Sequence, residues 1–585
     1  MSSGNNKVSF DLPEDYVEDE AESQLPMASM REEMLLLKKR QQLQSVSNSL
    51  SFPTPVRRFV FWTPPKQRQR WGDEDILPHI NWGDLFFDLF YVAAAYNLSY
   101  VLYYSPSAEG FLYFVGLFGP ILLEWFQRTL FDSRFVWGDD PWHKFFEVVY
   151  LCVLSLSVVH IRPVHTMRNP AEPDMFDYSI GVTVLAILNI YRSLEVIVAV
   201  DGEEAAKRGE RNWLVGFLIQ LAFYMAAAVR AGISYRTSRS ADNYDYGSRS
   251  LESVTNACAR VLNLASERDL ADEVTSGVED HIPIILCLCG WASSIIILLI
   301  RAYFIEKKNG DHMKYNVPMN VEYIIHRFGE LVMLLLGESI LSILIVKTTD
   351  SVHYHVTLYA GIISIVLIQY CHYKYQPHSP NRHAFRRSVK GGATYHAIMI
   401  VYAHALVALG TAYKMFLSQY AYEETSKDKK LRYLVTSLMP RHLAGTDYET
   451  SFGTLEHKKA NANMFCISMA LVWVCLEAMW VAHNGKKAYW FYLKTKFGFA
   501  CSTLRLVLII LMGTISLYAI EPEYVALIGL LFICAEIATA VISDYFWSKL
   551  FDIHDDGGHW PNVTEPASTP APKESIDETM ITDDS

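Results

Sequence analysis

Charge is scarce in this sequence. Asp, Glu, Lys and Arg make up only 19% of its 585 residues, whereas 51% are hydrophobic and 13% aromatic. Soluble domains carry about 25% charged residues, so a chain of this balance is not expected to fold in water alone. Cysteines number nine, and most of them, including Cys152, Cys287, Cys289, Cys371 and Cys534, lie in apolar segments as packing residues; only Cys258 sits in a long loop, so no disulfide framework is expected. No apolar run opens the chain as a signal peptide would, so the first membrane helix is expected to direct insertion itself. HExxH, GxSxG, P-loop and GxGxxG patterns are all missing, and His353-x-His355 is too little for a metal site. The sequence therefore predicts no enzyme, no catalytic residue, no metal and no cofactor. Basic residues flank apolar segments instead of forming a patch, which argues against nucleic acid as a partner.

What is present is a series of apolar blocks of roughly 20 residues, the length that crosses about 30 Å of hydrocarbon as a helix. They fall near 83–104, 110–131, 143–162, 176–201, 211–233, 282–303, 321–346, 352–374, 393–419, 462–484, 499–519 and 523–545. Membrane β-strands would be about ten residues long with strict alternation, and the run from Ile282 through Cys289 has none. The expectation is an all-α polytopic membrane protein of about twelve transmembrane helices.

Three regions follow. Residues 1–80 read as a largely disordered cytoplasmic segment, 81–550 as the transmembrane domain with long loops at 234–281 and 420–461, and 551–585 as an acidic disordered tail. That tail carries nine acids against one lysine, so the net charge of −12 describes the termini more than the body. Ser29-Met-Arg-Glu32 has capping-box spacing and predicts a short helix over 33–42. The tails are candidate sites for cytoplasmic proteins.

Short loops rich in Lys and Arg stay on the cytoplasmic side. With the N-terminus inside, that set takes Arg57, Arg58, Lys66, Arg68 and Arg70, then Lys207, Arg208 and Arg211, then Arg382, Arg386 and Arg387. The short outside loops near 105–109, 347–351 and 520–522 have almost none. Both termini are thus expected in the cytoplasm, with the protein in the plasma membrane or an endomembrane. Asn562-Val-Thr564 is a glycosylation pattern in a tail this topology keeps inside. A faint repeat agrees with an even count: Trp82-Gly-Asp-Leu85 in the first helix resembles Phe328-Gly-Glu-Leu331 in the seventh, as two parallel six-helix halves would give.

Ionisable groups at membrane depth cost roughly 2.5–3.5 kcal/mol each on insertion scales, so they mark protein interiors or aqueous paths. Asp84 and Asp88 share one face of helix 1. Glu124 and Arg128 in helix 2 have a spacing that permits an ion pair within the helix, and Arg192 and Glu195 in helix 4 offer another pair. Helix 7 must draw in His326 and Arg327 to reach spanning length, and it adds Glu330 and Glu338. Arg327 and Glu338 are about 16 Å apart along the axis, so each needs a partner from another helix. In the assigned topology these groups form a layer in the cytoplasmic half, with Glu338 at its deeper end.

Asp84-Leu-Phe-Phe-Asp-Leu89 resembles the Glu-Leu-Phe-Phe-Asp-Leu signature of the bacterial low temperature requirement protein A family. His326-Arg-Phe-Gly-Glu330 with Leu336-Gly-Glu-Ser339 is similar to that family's Glu-Arg-Phe-Gly and Leu-Gly-Glu-Ser helix. Arg134-Phe135 before Asp139-Asp140 is similar to its Arg-Phe-Asp-Thr-Asp-Asp loop. The resemblance covers about residues 80–420 and is that of a eukaryotic member with extended tails and loops. Asp84 stands for a glutamate, and His326 replaces an acid with an imidazole. The resemblance implies a multipass membrane protein tied by name to growth at low temperature, with no assigned reaction.

Two functional readings remain open from the sequence. One is a transporter or channel in which Asp88, Glu330 and Glu338 bind a proton or cation while Arg327 or Arg192 tunes them or holds a small anionic solute. The other is a non-transporting sensor or scaffold whose charges fix helix packing.

Overall fold

The structure is a computed structural model that describes residues 60–68, 82–137, 140–200, 204–242, 280–307, 319–377, 382–435, 455–518 and 521–551. The predicted helix at 33–42 and most of both tails lie outside the described residues. Twelve long helices run in chain order: α1 Trp82–Tyr104, α2 Ala108–Asp132, α3 Pro141–Val159, α4 Asp174–Ala199, α5 Glu204–Asp242 and α6 Ile282–Lys307, then α7 Val321–Leu344, α8 Val352–Tyr375, α9 Val389–Val435, α10 Leu455–Asn484, α11 Lys496–Thr514 and α12 Pro522–Phe551. The ends obey local chemistry. Ser107, Asp140, Asn320 and Thr495 each cap the helix that follows by accepting a hydrogen bond from one of its first-turn amides.

Eleven of these helices are long and apolar enough to cross a membrane, and the protein is an integral membrane protein. The exception to the expected twelve is α7. Its 24 residues span about 36 Å, but Glu322, Arg327, Glu330 and Glu338 make it too charged to face lipid all round. It packs its charged side chains toward α1, α2, α8 and α9 and leaves a narrow exposed stripe that includes Met333, Leu341 and Leu344. Two loops are shorter than the sequence suggested, because α5 continues to Asp242 and α9 to Val435 while α10 begins at Leu455. Hydropathy marks where the apolar surface ends; residues 420–435 are mostly good helix formers that carry the helix onward.

Of the segment before α1, the described residues 60–68 include a short strand. Strand β1 (Lys66–Gln67) pairs antiparallel with β2 (Phe135–Val136), Lys66 opposite Val136 and Gln67 opposite Phe135. Arg68 adds a backbone bond to the Arg134 carbonyl at 2.8 Å. These residues are held by the turn after α2, with Thr63 and Trp62 anchored to the same region.

Helix packing has an internal repeat. In the first half α1 packs on α2 and α3, α2 on α6, α3 on α4, α4 on α5, and α5 on α6. In the second half α7 packs on α8 and α9, α8 on α12, α9 on α10, α10 on α11, and α11 on α12, the same neighbours six helices later. The second half adds a contact of α8 with α9. The halves meet where α1, α2 and α6 abut α7 and α9. Helices α2 and α9 are the most enclosed, each with 78% of its apolar window buried. Small residues allow the close approaches: a Cβ at Gly410 of α9 would lie 2.3 Å from Ser339 Oγ of α7, and one at Gly119 of α2 would lie 2.3 Å from Trp291 Nε1 of α6.

Candidate functional site

The junction of the halves holds a buried ion pair. Asp88 of α1 is 0% exposed and receives both arms of the Arg327 guanidinium from α7, Nη2 to Oδ1 at 2.7 Å and Nη1 to Oδ2 at 2.9 Å. Such a bidentate fork fixes geometry as well as charge. Trp125 of α2 donates its indole N–H to Asp88 Oδ1 at 2.8 Å, so three helices share one carboxylate. Arg327 Nη1 also reaches Glu330 at 2.6 Å. Asp84 sits one turn away and accepts from the Tyr323 hydroxyl at 3.4 Å. The sequence required a partner for Arg327 from another helix, and Asp88 is that partner. His326 points away from this junction and is exposed.

The pairs suggested within α2 and within α4 do not form. Glu124 Oε2 instead accepts from Asn189 of α4 at 2.6 Å and Tyr150 of α3 at 3.0 Å. Its Oε1 has no hydrogen-bond partner. Arg128 turns to Glu147 of α3 at 2.8 Å and Asp132 at 3.5 Å, with its guanidinium 3.9 Å from the Phe87 ring centroid. Arg192 lies 3.6 Å from Asp132 and stacks 4.1 Å over Phe131. Residues four apart share a face, but partners on α3 and α4 offered neutral donors to Glu124 and a carboxylate to Arg128. The neighbours decided the pairing.

Glu195 belongs to another network. His143 links it to Asp140, through Nε2 at 3.0 Å to Glu195 and Nδ1 at 2.7 Å to Asp140, and Trp62 donates to the same Glu195 oxygen at 2.6 Å. Burial tends to raise the Asp140 carboxyl, but hydrogen bonds from Thr63 and from the His143 backbone and ring outweigh it and bring it down to about 2. Arg134 pairs with Glu210 of α5 at 2.5 Å. The loop residues Arg134 and Asp140 thus tie β1, α3 and α5 to the end of α2. A narrow crevice opens here, lined by Gln127, Asn189, Arg192, Glu210 and Trp213 among others.

Glu338 lies apart from the junction, further along α7. Ser342 donates to its Oε1 at 2.7 Å, and the nearest opposite charge is Lys414 of α9. Lys414 is buried, and its Nζ has no hydrogen-bond partner. It sits 3.8 Å from the Tyr100 ring centroid, with Tyr96 and Tyr103 of α1 near by, an aromatic enclosure for a cation. The ten sequence candidates therefore divide. Asp84, Asp88, Arg327 and Glu330 converge; Glu124, Arg128 and Arg192 form an adjoining cluster; Glu195 joins a loop network; Glu338 stands with Lys414; His326 faces out.

Lys414, Trp125, Tyr150 and Asn189 were missed. Lys414 had a readable signal, a lone lysine inside the apolar block of α9. The neutral three had none, because a polar but uncharged residue does not interrupt an apolar block. Among the described residues no group of three or more His, Cys, Asp or Glu could hold a metal ion.

The family model for the bacterial low temperature requirement A protein covers residues 79–542. No curated protein and no solved structure is matched. The matched span contains all twelve long helices apart from the end of α12, and the chain belongs to the low temperature requirement A family.

Proposed function

We propose that this low temperature requirement A protein is a transporter or channel for a proton, another cation or a small solute. The observation that carries the reading is the Asp88–Arg327 fork, a buried ionic contact made between the first helix of one half and the first helix of the other. A lock of this kind at the seam of two repeated units gives their relative motion two states that differ in charge pairing. Glu338 is the ion-binding group, further along α7 from the fork and hydrogen-bonded by Ser342, and Lys414 supplies the opposing charge. Glu330 is placed to take over Arg327 when Asp88 releases it. Both termini lie in the cytoplasm in this reading, which puts the Asp88 junction and the Glu124 cluster in the inner half of the bilayer. No catalytic residue takes part.

A flux screen on purified protein in liposomes, for protons, alkali cations and small anions, tests it. Flux above that of empty liposomes, lost in Asp88→Asn, supports the reading; no flux for any of them overturns it. The second reading, a non-transporting sensor or scaffold, is favoured by the closed Trp62–Glu195–His143–Asp140 network, whose charges all serve to hold the loops. Under that reading neutralising Glu195 changes stability or bound partners and no flux exists to lose.

A further inference from the structure

The second half contains an ionic cluster that the proposed function does not use. It is built from α8, α10, α11 and α12. Glu477 of α10 takes the Arg505 guanidinium of α11 at 2.6 Å and the Tyr375 hydroxyl of α8 at 3.3 Å. Arg505 Nε reaches Thr539 Oγ1 of α12 at 3.3 Å. The Thr539 hydroxyl in turn gives its proton to the main-chain carbonyl of Glu536 at 2.8 Å. The chain of donors therefore ends on the Glu536 backbone and leaves its side chain unserved. That carboxyl is 0% exposed, and neither oxygen has a hydrogen-bond partner.

The charges around Glu536 do not balance it. Arg505 is engaged by Glu477, and the other titratable groups that face Glu536 are Tyr375 and Cys371 of α8, neither of them basic. A buried carboxylate with no counter-charge of its own is strongly unfavourable and is neutralised instead. A hard metal cation would want about six oxygen ligands, and the Arg505 charge repels one. A proton neutralises the carboxyl without needing space.

The same helix positions in the first half show the contrast. There α2, α4, α5 and α6 bring together Gln127, Asn189, Gln220 and Ser294, with Gln127 donating to Gln220 at 3.0 Å and Asn189 to Gln127 at 3.0 Å. In the first half these four side chains are neutral, with Asn189 also donating to Glu124; in the second the cluster joins two acids and one base.

We propose that Glu536 is a proton-binding site, which takes its proton from water and holds it as a neutral carboxyl while Arg505 keeps Glu477 ionised. The site stands whether or not the protein transports. The test is infrared spectroscopy on the full-length protein in lipid nanodiscs, reading the carbonyl stretch of protonated carboxylic acids at neutral pH. The expected result is a component that disappears in Glu536→Gln and is lost from the wild type as pH is raised. An amide mimics the neutral acid, so Glu536→Gln is expected to keep the wild-type unfolding temperature. A wild-type component unaltered in Glu536→Gln overturns the proposal, as does a Glu536→Gln protein that cannot fold, since that would mean the charge is needed. Sodium that raises the unfolding temperature of the wild type and not of Glu536→Gln would also overturn it, in favour of a cation site.

Discussion

Replacing Asp88 by asparagine keeps the shape of the side chain and removes its charge. The wild-type carboxylate holds Arg327 through two bonds of 2.7 and 2.9 Å and takes a third from Trp125 at 2.8 Å. Removing one partner of a buried pair costs about 3–5 kcal/mol, because the other charge is left uncompensated. Two features place Asp88→Asn at the low end of that range. Glu330 stays on Arg327 Nη1 at 2.6 Å, and the new amide oxygen still accepts from Trp125. We expect a loss of about 3 kcal/mol, measured by reversible unfolding of the purified protein in mixed micelles. Arg327→Met should cost a similar amount, since it strands Asp88. The double variant should be less destabilised than the sum of the two by about 2–3 kcal/mol, because each single change removes the same contact. Asp88→Asn within about 1 kcal/mol of wild type, the scale of an ordinary substitution, or strict additivity of the pair would refute the junction.

Other expectations follow from single contacts. Asp140→Asn should weaken the hold on Thr63 and His143; since the Asp140 carboxyl is brought down to about 2, its contribution is full above the ordinary carboxylate range and is lost as pH falls from about 4 to about 2. Acid unfolding monitored in that window should therefore differ between wild type and variant at pH 5 and converge near pH 2. Gly410→Leu should destabilise by about 1–3 kcal/mol or separate α7 from α9, because the first added carbon already meets Ser339 Oγ at 2.3 Å; a thermal melt checks it, and an unchanged midpoint would contradict the packing. Lys414→Met should lower the unfolding midpoint, since it removes the cation held over the Tyr100 ring and leaves buried Glu338 without its opposing charge; a thermal melt checks it, and an unchanged midpoint would contradict that opposition.

Much of the architecture was legible because lipid leaves so few options. Apolar blocks located every long helix, α7 among them. That helix was recognised by a need for length that pulled Arg327 inside, and the same charges explain why composition alone passes over it. Helix ends were less legible, since α9 continues past its apolar face on helix-forming residues. For the site, the sequence named Asp88 and Arg327 but could not join them, as 239 residues separate the two. Spacing misled at Glu124 and Arg128, because a shared face permits a pair and competing partners on α3 and α4 decide it. Asn189 and Tyr150, which hold Glu124, carry no charge to give them away. Lys414 and Glu536 were visible as lone charges, yet only the packing shows that each has no hydrogen-bonding partner for its charged group.

The repeat changes the weight of the four-residue similarity between the starts of α1 and α7. Those two helices occupy equivalent places in two sets of six with the same neighbours, and the buried fork joins them. A carboxylate on one and an arginine on the other make the seam between halves an ionic one, which is the physical basis for reading motion there.

The most direct measurement is pH-driven flux through Glu338→Gln in liposomes, beside wild type and after both are shown to unfold at the same temperature. The transport reading expects wild-type flux that depends on pH and a folded variant in which that dependence is abolished. Equal flux in the two proteins, with the same response to pH, would contradict it.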